Sequence, residues 1–345
     1  SLHLPTGTTM MKLLQWRYRL LLLPVTLWLS IGSAQADVTC TASMNSNTVN
    51  ISNTITPSNA NDAEITATLS YSCTNNTESS QYVSVCLGAD GGDKPNAVIP
   101  RYMKAASNNH ELAFNMTLPD GSIWGTRTSG LGKEYNSGAI YIPARSTMSG
   151  QNNISGQVVI NIFLLPNSTN TLATPGTYTN NFNGNLIFKT AENPISTNCL
   201  EGVQNISHPF PFTVQATVIP SCRITAKPTD INLGNIAASA TSIKGNTNIS
   251  LQCTNTAPYT IGLSPSNGNV DGAGVMTSAV SNSDVVPYRL QSDAGKVWGN
   301  TATAENVGNG VAGKGDGTTK LHTVHVIVPS ADVKPGSYSD TVTIN

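Results

Sequence analysis

Six cysteines, five histidines and one glycine-rich run are the residues of this chain whose types could do chemistry, and their spacing decides which chemistry is open. The run Gly308-Asn309-Gly310-Val311-Ala312-Gly313-Lys314-Gly315 imitates a phosphate-cradling loop. Gly315, however, stands where a serine or threonine would have to hold magnesium, and no helix signal follows, so the run reads as a surface loop. His322 and His325 lie in a stretch that reads as a strand, where an odd spacing sends side chains to opposite faces. They are therefore not expected to share a metal. No Gly-x-Ser-x-Gly elbow occurs. Trp124 and Trp298 read as packing residues, and Asp120 and Asp293 as turn residues. The expectation is a protein that is not an enzyme, with no catalytic residue, metal or cofactor.

The cysteines are even in number and none forms a Cys-x-x-Cys pair. Disulfides are the default in an oxidising compartment, although the count alone leaves fifteen connectivities open. The compartment is read from the start of the chain. Residues 1–9 precede any methionine and are set aside as an upstream remnant, and residues 10–36 read as a secretory signal. This segment has basic residues Lys12, Arg17 and Arg19, an apolar run from Leu20 to Ile31, and Ala34-Gln35-Ala36 as the cleavage site. The apolar run is about 12 residues, short of the roughly 20 that a spanning helix needs. Asp37-Val38-Thr39 before Cys40 lacks the small apolar residues that precede a lipidated cysteine. The expected location is periplasmic or beyond. Charged residues make up 11% of the chain and the net charge is −1, against an ordinary charged fraction of about 25%, which argues against nucleic acid as a partner. Asn, Thr, Ser and Gly supply the polar surface, with Val, Ile and Thr between them, which suits an all-β protein.

A duplication orders these elements. Cys40 and Cys73 are 33 residues apart, and Cys222 and Cys253 are 31 apart. Tyr82-Val83-Ser84-Val85 after the first pair is matched by Tyr259-Thr260-Ile261 after the second. The turns ending in Trp124-Gly125 and Trp298-Gly299 also correspond, as do Pro175-Gly176-Thr177-Tyr178 and Pro335-Gly336-Ser337-Tyr338. The repeat pairs Cys40 with Cys73 and Cys222 with Cys253, leaving Cys86 for Cys199 by elimination. Each of the first two bridges is worth roughly 3 to 4 kcal/mol in the chain-entropy model. Alternating runs such as Ile65 to Tyr71, Val158 to Leu164 and Val324 to Val328, with Gly, Pro and Asn turns between them, predict two Ig-like β-sandwich domains in tandem. They divide into an N-terminal domain at 37–215 and a C-terminal domain at 216–345.

The two halves end differently. After Pro175 the first half still has room for a further strand over Phe210 to Val218, whereas in the second half Asn345 stands ten residues past Pro335. The C-terminal domain is therefore expected to lack its last strand. That leaves an unpaired edge at Tyr338, Asp340, Val342 and Ile344. About three absent inward side chains, at roughly 1.5 to 3 kcal/mol each, make a deficit comparable to a domain's net stability. Strand donation by another chain is the known remedy.

On Cys222, Cys253, Trp298-Gly299 and the ending Gly336-Ser337-Tyr338-Ser339-Asp340-Thr341-Val342, the second half resembles the spore coat protein U domain. This is the pilin-type module of archaic chaperone–usher pili. The two-domain arrangement resembles the Csu-type tip adhesin. In the first half Tyr178 is followed by Thr179 and Asn180, a departure from the family's Asp-Thr. The resemblance implies a secreted subunit at the pilus tip on the cell surface, mediating attachment and biofilm formation. Its implied partners are a periplasmic chaperone, an outer-membrane usher during assembly, an adjacent pilin that donates a strand, and an abiotic or host surface.

Adhesion is expected at the turn from about Thr190 to Asn205, placed at the pole opposite the linker, with Pro194, Ile195 and Leu200 as apolar contacts. Val98, Ile99, Pro100 and Met148 are further candidates. Two alternatives stand beside this reading: a coat or matrix protein without specific adhesion, and a carbohydrate-binding lectin that uses polar loop residues and Trp124.

Overall fold

The computed structural model describes residues 37–145, 151–202, 208–280 and 282–345. The signal reading over 10–36 and the candidate Met148 lie outside the described residues. The described chain is built almost wholly of strands, and none of its helices is long and apolar enough to cross a membrane.

Twelve strands precede the second half: β1 (Val38–Met44), β2 (Thr48–Asn50), β3 (Glu64–Asn75), β4 (Gln81–Gly88), β5 (Arg101–Ala105), β6 (Glu111–Thr117), β7 (Tyr135–Asn136), β8 (Ile140–Ile142), β9 (Asn153–Leu164), β10 (Gly176–Phe182), β11 (Asn185–Ala191) and β12 (Phe212–Val218). Eight form one sheet in the order β1-β3-β9-β6-β5-β10-β12-β2, and β11, β4 and β7, with β8 also on β4, form the facing one. The alternation in β3 explains why it is a strand: Ala67, Leu69, Tyr71 and Cys73 face inward and are buried, with Thr and Ser between them. β12 repeats the pattern with Phe212, Val214, Ala216 and Val218. Between β10 and β11 the chain crosses from the large sheet to the small one at Asn183-Gly184. Gly184 has a φ of 65°, and a Cβ there would stand 2.3 Å from the Phe210 ring, so only glycine fits the crossing.

Ten strands follow: β13 (Cys222–Ala226), β14 (Thr241–Cys253), β15 (Pro258–Ile261), β16 (Leu263–Pro265), β17 (Ala273–Ser278), β18 (Val285–Gln291), β19 (Val311–Lys314), β20 (Thr319–Ser330), β21 (Tyr338–Ser339) and β22 (Val342–Ile344). The order β13-β14-β20-β18-β17-β21 makes one sheet, faced by the ladders β15–β19 and β16–β22.

Each half has its own hydrophobic core. The first runs from Val38 to Val218 and the second, among its fully buried members, from Ile249 to Val328. Ala216 and Val218 belong to the first core, so β12 lies whole in the first sandwich and a division at 215 would cut it. The duplication is visible atom by atom. Trp124 donates its indole N–H to the Leu87 carbonyl at 2.9 Å, and Trp298 donates to the Ile261 carbonyl at 2.9 Å. Tyr178 donates its hydroxyl to the Thr174 carbonyl at 2.7 Å, and Tyr338 to the Lys334 carbonyl at 2.6 Å. Cys40 faces Cys73 and Cys222 faces Cys253 across corresponding ladders, and both pairs are bridged. A third disulfide joins Cys86 to Cys199.

Candidate functional site

Two places stand out, and the first is the edge at β21. In the first sandwich the equivalent strand β10 is flanked by β5 on one side and β12 on the other. β12 runs antiparallel to it, with Gly176 opposite Val218, Tyr178 opposite Ala216 and Phe182 opposite Phe212. Its aromatic end stacks on the core: Phe212 lies 4.9 Å from Phe182 and 6.1 Å from Trp124, ring centroid to centroid. In the second sandwich β21 pairs with β17, and among the described residues no strand lies on its other side. Tyr338 is accordingly half-buried where Tyr178 is fully buried, and Leu233, Ile243, Val326 and Val333 are only partly covered.

The four residues expected along this edge are shared between two ladders. Tyr338 is in β21, whereas Val342 and Ile344 are in β22 and pair with Pro265 and Leu263 in the facing sheet. Asp340 sits at the crossing, accepting hydrogen bonds from the Tyr288 hydroxyl at 2.6 Å and from the Ser266 hydroxyl. Burial works against its charge, but the Ser266 and Tyr288 bonds and the Thr341 and Ser266 amides hold the carboxyl below its usual range. A lowered folded-state pKa adds stability above the ordinary carboxylate value of 3.8 and loses it as pH falls through the lowered one. The second sandwich should therefore show a lower denaturation midpoint at acid pH, and Asp340→Ala should flatten that dependence. An unchanged profile in the variant would rule out this origin.

The second place is one end of the smaller sheet of the first sandwich. β11 reaches it at Ala191, opposite Tyr82, and Tyr82 in turn faces Tyr141 of β8. Just past Ala191 the chain turns over Asn193-Pro194-Ile195-Ser196, with the Ser196 amide donating to the Asn193 side-chain oxygen at 2.9 Å. Ile195 is 94% exposed. Tyr141 is 53% exposed and packs edge-on against Tyr82 at 5.6 Å, its hydroxyl donating to the Ser80 hydroxyl oxygen at 2.9 Å. The sequence reading missed Tyr141. Its signal was the alternation Ile140-Tyr141-Ile142, in which burying Ile142 turns the tyrosine outward.

The other candidates are not gathered there. Cys199 is bridged to Cys86, which pairs with Ile187. That lies four residues short of Ala191, about 13 Å along the strand at about 3.3 Å per residue. Leu200, 53% exposed, therefore lies beside the middle of the sheet. The returning segment is strapped down: Arg127 donates to the Cys199 carbonyl at 2.8 Å and forks onto the buried Glu134 carboxylate at 2.7 and 3.0 Å. Val98 is a correction. It is fully buried, so it offers nothing to a surface. Ile99, 57% exposed, and the half-buried Pro100 leave from the Gly88 end of β4, opposite Asn185, well away from the end where Ile195 stands. They precede Arg101, whose buried guanidinium donates to the carbonyls of Ala89 and Asp90 at 2.8 Å and Trp124 at 2.5 Å.

Trp124 is fully buried, so it cannot serve as the exposed platform a sugar ring would need. His322 is paired with the Tyr259 hydroxyl at 2.7 Å and His325 with Asp293 at 2.7 Å, separate partners for each ring.

Residues 209–345 match the model of the Spore Coat Protein U domain. No curated protein matches the chain. Among solved structures, a chain of the CsuC–CsuE chaperone–tip adhesion subunit pre-assembly complex from archaic chaperone–usher Csu pili of Acinetobacter baumannii is similar. It has 13% identity and a TM-score of 0.50, over 89% of this chain and 99% of that one. The CupB6 tip adhesin of Pseudomonas aeruginosa has 9% identity and a TM-score of 0.34, over 90% and 95%. The adhesive subunit CfaE of CFA/I fimbria from enterotoxigenic Escherichia coli has 12% identity and a TM-score of 0.31, over 87% and 92%. At a TM-score of 0.50 the first likeness is one of fold.

Proposed function

From a chain whose residues 209–345 match the Spore Coat Protein U domain and whose fold is similar to that of a chain in a chaperone–tip adhesion subunit complex of chaperone–usher pili, we propose a subunit that attaches cells to surfaces from the end of a pilus. The observation that carries the proposal is the contrast between β10, covered by β12, and β21, whose corresponding side is open. An open edge above part-buried core side chains is a seat for a strand from another polypeptide. During assembly the occupant is a periplasmic chaperone, with transfer at an outer-membrane usher. In the fibre it is a strand of the adjacent pilin. A pilin-type domain held in this way leaves the first sandwich to meet the surface.

The contact is made at one end of the smaller sheet by Pro194 and the exposed Ile195 in the turn after β11 and by the exposed Tyr141 of β8. Leu200 and Ile99 lie apart from it and contribute less. The test is attachment of piliated cells to a hydrophobic plastic surface. Ile195→Ser combined with Tyr141→Ser should lower attachment several-fold with fibre number unchanged, and Leu200→Ser should lower it less. Full attachment by the double variant would overturn the adhesive reading of this end. Fibres that carry the protein with the β21 side filled only by its own residues would overturn the strand-acceptor reading.

A further inference from the structure

The outer face of the large sheet of the first sandwich carries a groove of about 730 Å³, within the roughly 300 to 1,000 Å³ of small-molecule sites. Its origin is a short ladder. β5 and β10 meet only where Tyr178 faces Ala105 and Thr179 faces Lys104. Past that point the fully buried Asn180 replaces the ladder, its side chain donating to the carbonyls of Tyr102 at 2.9 Å and Gly91 at 3.0 Å and accepting from the Asp93 amide at 2.8 Å. This pins the loop that holds Asp93 and Lys94 as one wall. Gly92 has a φ of 69°, and a Cβ there would stand 2.1 Å from the Asn180 side-chain oxygen, so the close approach requires glycine. The Asp93 carboxylate is fixed in turn by the Asn181 amide at 3.0 Å. The turn between β5 and β6 makes the other wall, held by the His110 amide donating to the Asn108 side-chain oxygen at 2.9 Å. Tyr102, Lys104 and Thr179 line the floor, turned outward because Met103, Ala105 and Tyr178 alternate with them and are buried in the core.

We propose that this groove binds a neutral saccharide, on a different sheet from the Ile195 turn and independently of it. Asp93 and Glu111 balance Lys94 and Lys104 along the groove, so it has no net charge with which to select an ion. Lys94 reaches over the Tyr102 ring, its Nζ 5.0 Å from the centroid, and pairs with Glu111. Among the described residues the hydroxyls of Tyr102, Ser107 and Thr179 and the ammonium of Lys104 have no hydrogen-bond partner in the protein. Hydroxyls donate and accept, the ammonium donates, and the carboxylates accept. A sugar ring offers the matching set, because each of its neighbouring hydroxyls also donates and accepts. Other ligand classes fit less well. The aliphatic lining is only Ala105 and Ala106, so an apolar molecule would bury little surface against it. A peptide cannot join as an added strand, because β5 and β10 are each paired on both sides. With both walls already held by internal hydrogen bonds, little ordering is left for the ligand to impose.

The test titrates the full chain with the free trisaccharides maltotriose, mannotriose, chitotriose and globotriose, and with sialyllactose as the acidic comparison, followed by saturation-transfer NMR. At least one neutral trisaccharide should bind. Its affinity should fall about tenfold or more when Lys104→Ala is combined with Thr179→Val, which together remove an ammonium and a hydroxyl from outward positions. Each substitution alone should give part of that loss, with the thermal transition of the chain unchanged. Lys227→Ala, at an exposed lysine after β13, should bind as the parent does. Failure of every neutral trisaccharide to bind, or binding of sialyllactose alone, would overturn the proposal. So would unchanged affinity in a folded double variant, or an equal loss in Lys227→Ala.

Discussion

Replacing Val214 by aspartate is expected to unfold the first sandwich while the second core keeps its structure. Val214 is fully buried at the centre of β12, opposite Asn180 of β10, and its neighbours in the strand, Phe212 and Ala216, face the same interior. The substitution removes about 1.5 to 3 kcal/mol of apolar burial. It also puts a carboxylate where no cation is paired to receive it, at several kcal/mol more after relaxation. Together these approach the roughly 5 to 15 kcal/mol by which a domain is stable. The measurement is calorimetry of the full chain, where the transition of the first sandwich should vanish. The near-ultraviolet signal of the ring stack of Trp124, Phe210 and Phe212 should go with it. A normal transition would mean that β12 is an accessory strand, and the comparison with the open β21 side would lose its footing. Val342→Asp, on the part-exposed β22, should be far milder in the free chain.

Arg101→Ala should cost about 3 kcal/mol or more, a large loss for a residue that meets no carboxylate. The guanidinium is fully buried and bonded to main-chain oxygens of Ala89, Asp90 and Trp124, with Val98 at 3.5 Å and the Phe182 ring centroid 5.9 Å away. Removing it leaves three strongly held carbonyls without donors, at about 1 to 3 kcal/mol each, beside an emptied volume. Burial pulls the group down to about 9, opposed by the charge of Asp90, so it remains charged at neutral pH. Arg101→Met separates the causes: it restores much of the volume but none of the donors. Equal stability of Arg101→Met and the parent would assign the effect to packing. Because these carbonyls lie on the loop before β5 and on the Trp124 turn, the Ala variant should also loosen Ile99 and Pro100, seen as faster amide exchange from Gly91 to Ile99.

The halves of this molecule differ in how openly they announced themselves. Cysteines at matched spacing, a tryptophan before glycine and a Pro-Gly-x-Tyr corner are each tied to one local geometry. Repeated in order, they describe two copies of one fold, and the structure places their atoms equivalently. The surface was harder to read. Val98, Ile99 and Pro100 form an apolar run in a loop, and nothing in the run itself separates Val98, packed inside, from Ile99, facing out. Leu200 stands five residues from Ile195 in sequence, but the Cys86 bridge draws it to the middle of the sheet. Tyr141 stands at the same end of the sheet as Ala191, the strand residue before the Ile195 turn, through two ladders, β8 on β4 and β4 on β11, a pairing no local pattern could state.

What the amino-acid order determined by itself was periodicity: which side chains share a face, which cysteines recur, and in what order the landmarks of the first half return in the second. Only tertiary structure decided which body receives each face. The alternation of Phe212, Val214, Ala216 and Val218 makes a strand whose apolar side must be covered, but the pattern is equally satisfied by either sandwich, because burial is non-directional and proportional to area. The choice comes from the ladder to β10 and the stack on Trp124, contacts between residues far apart in the chain.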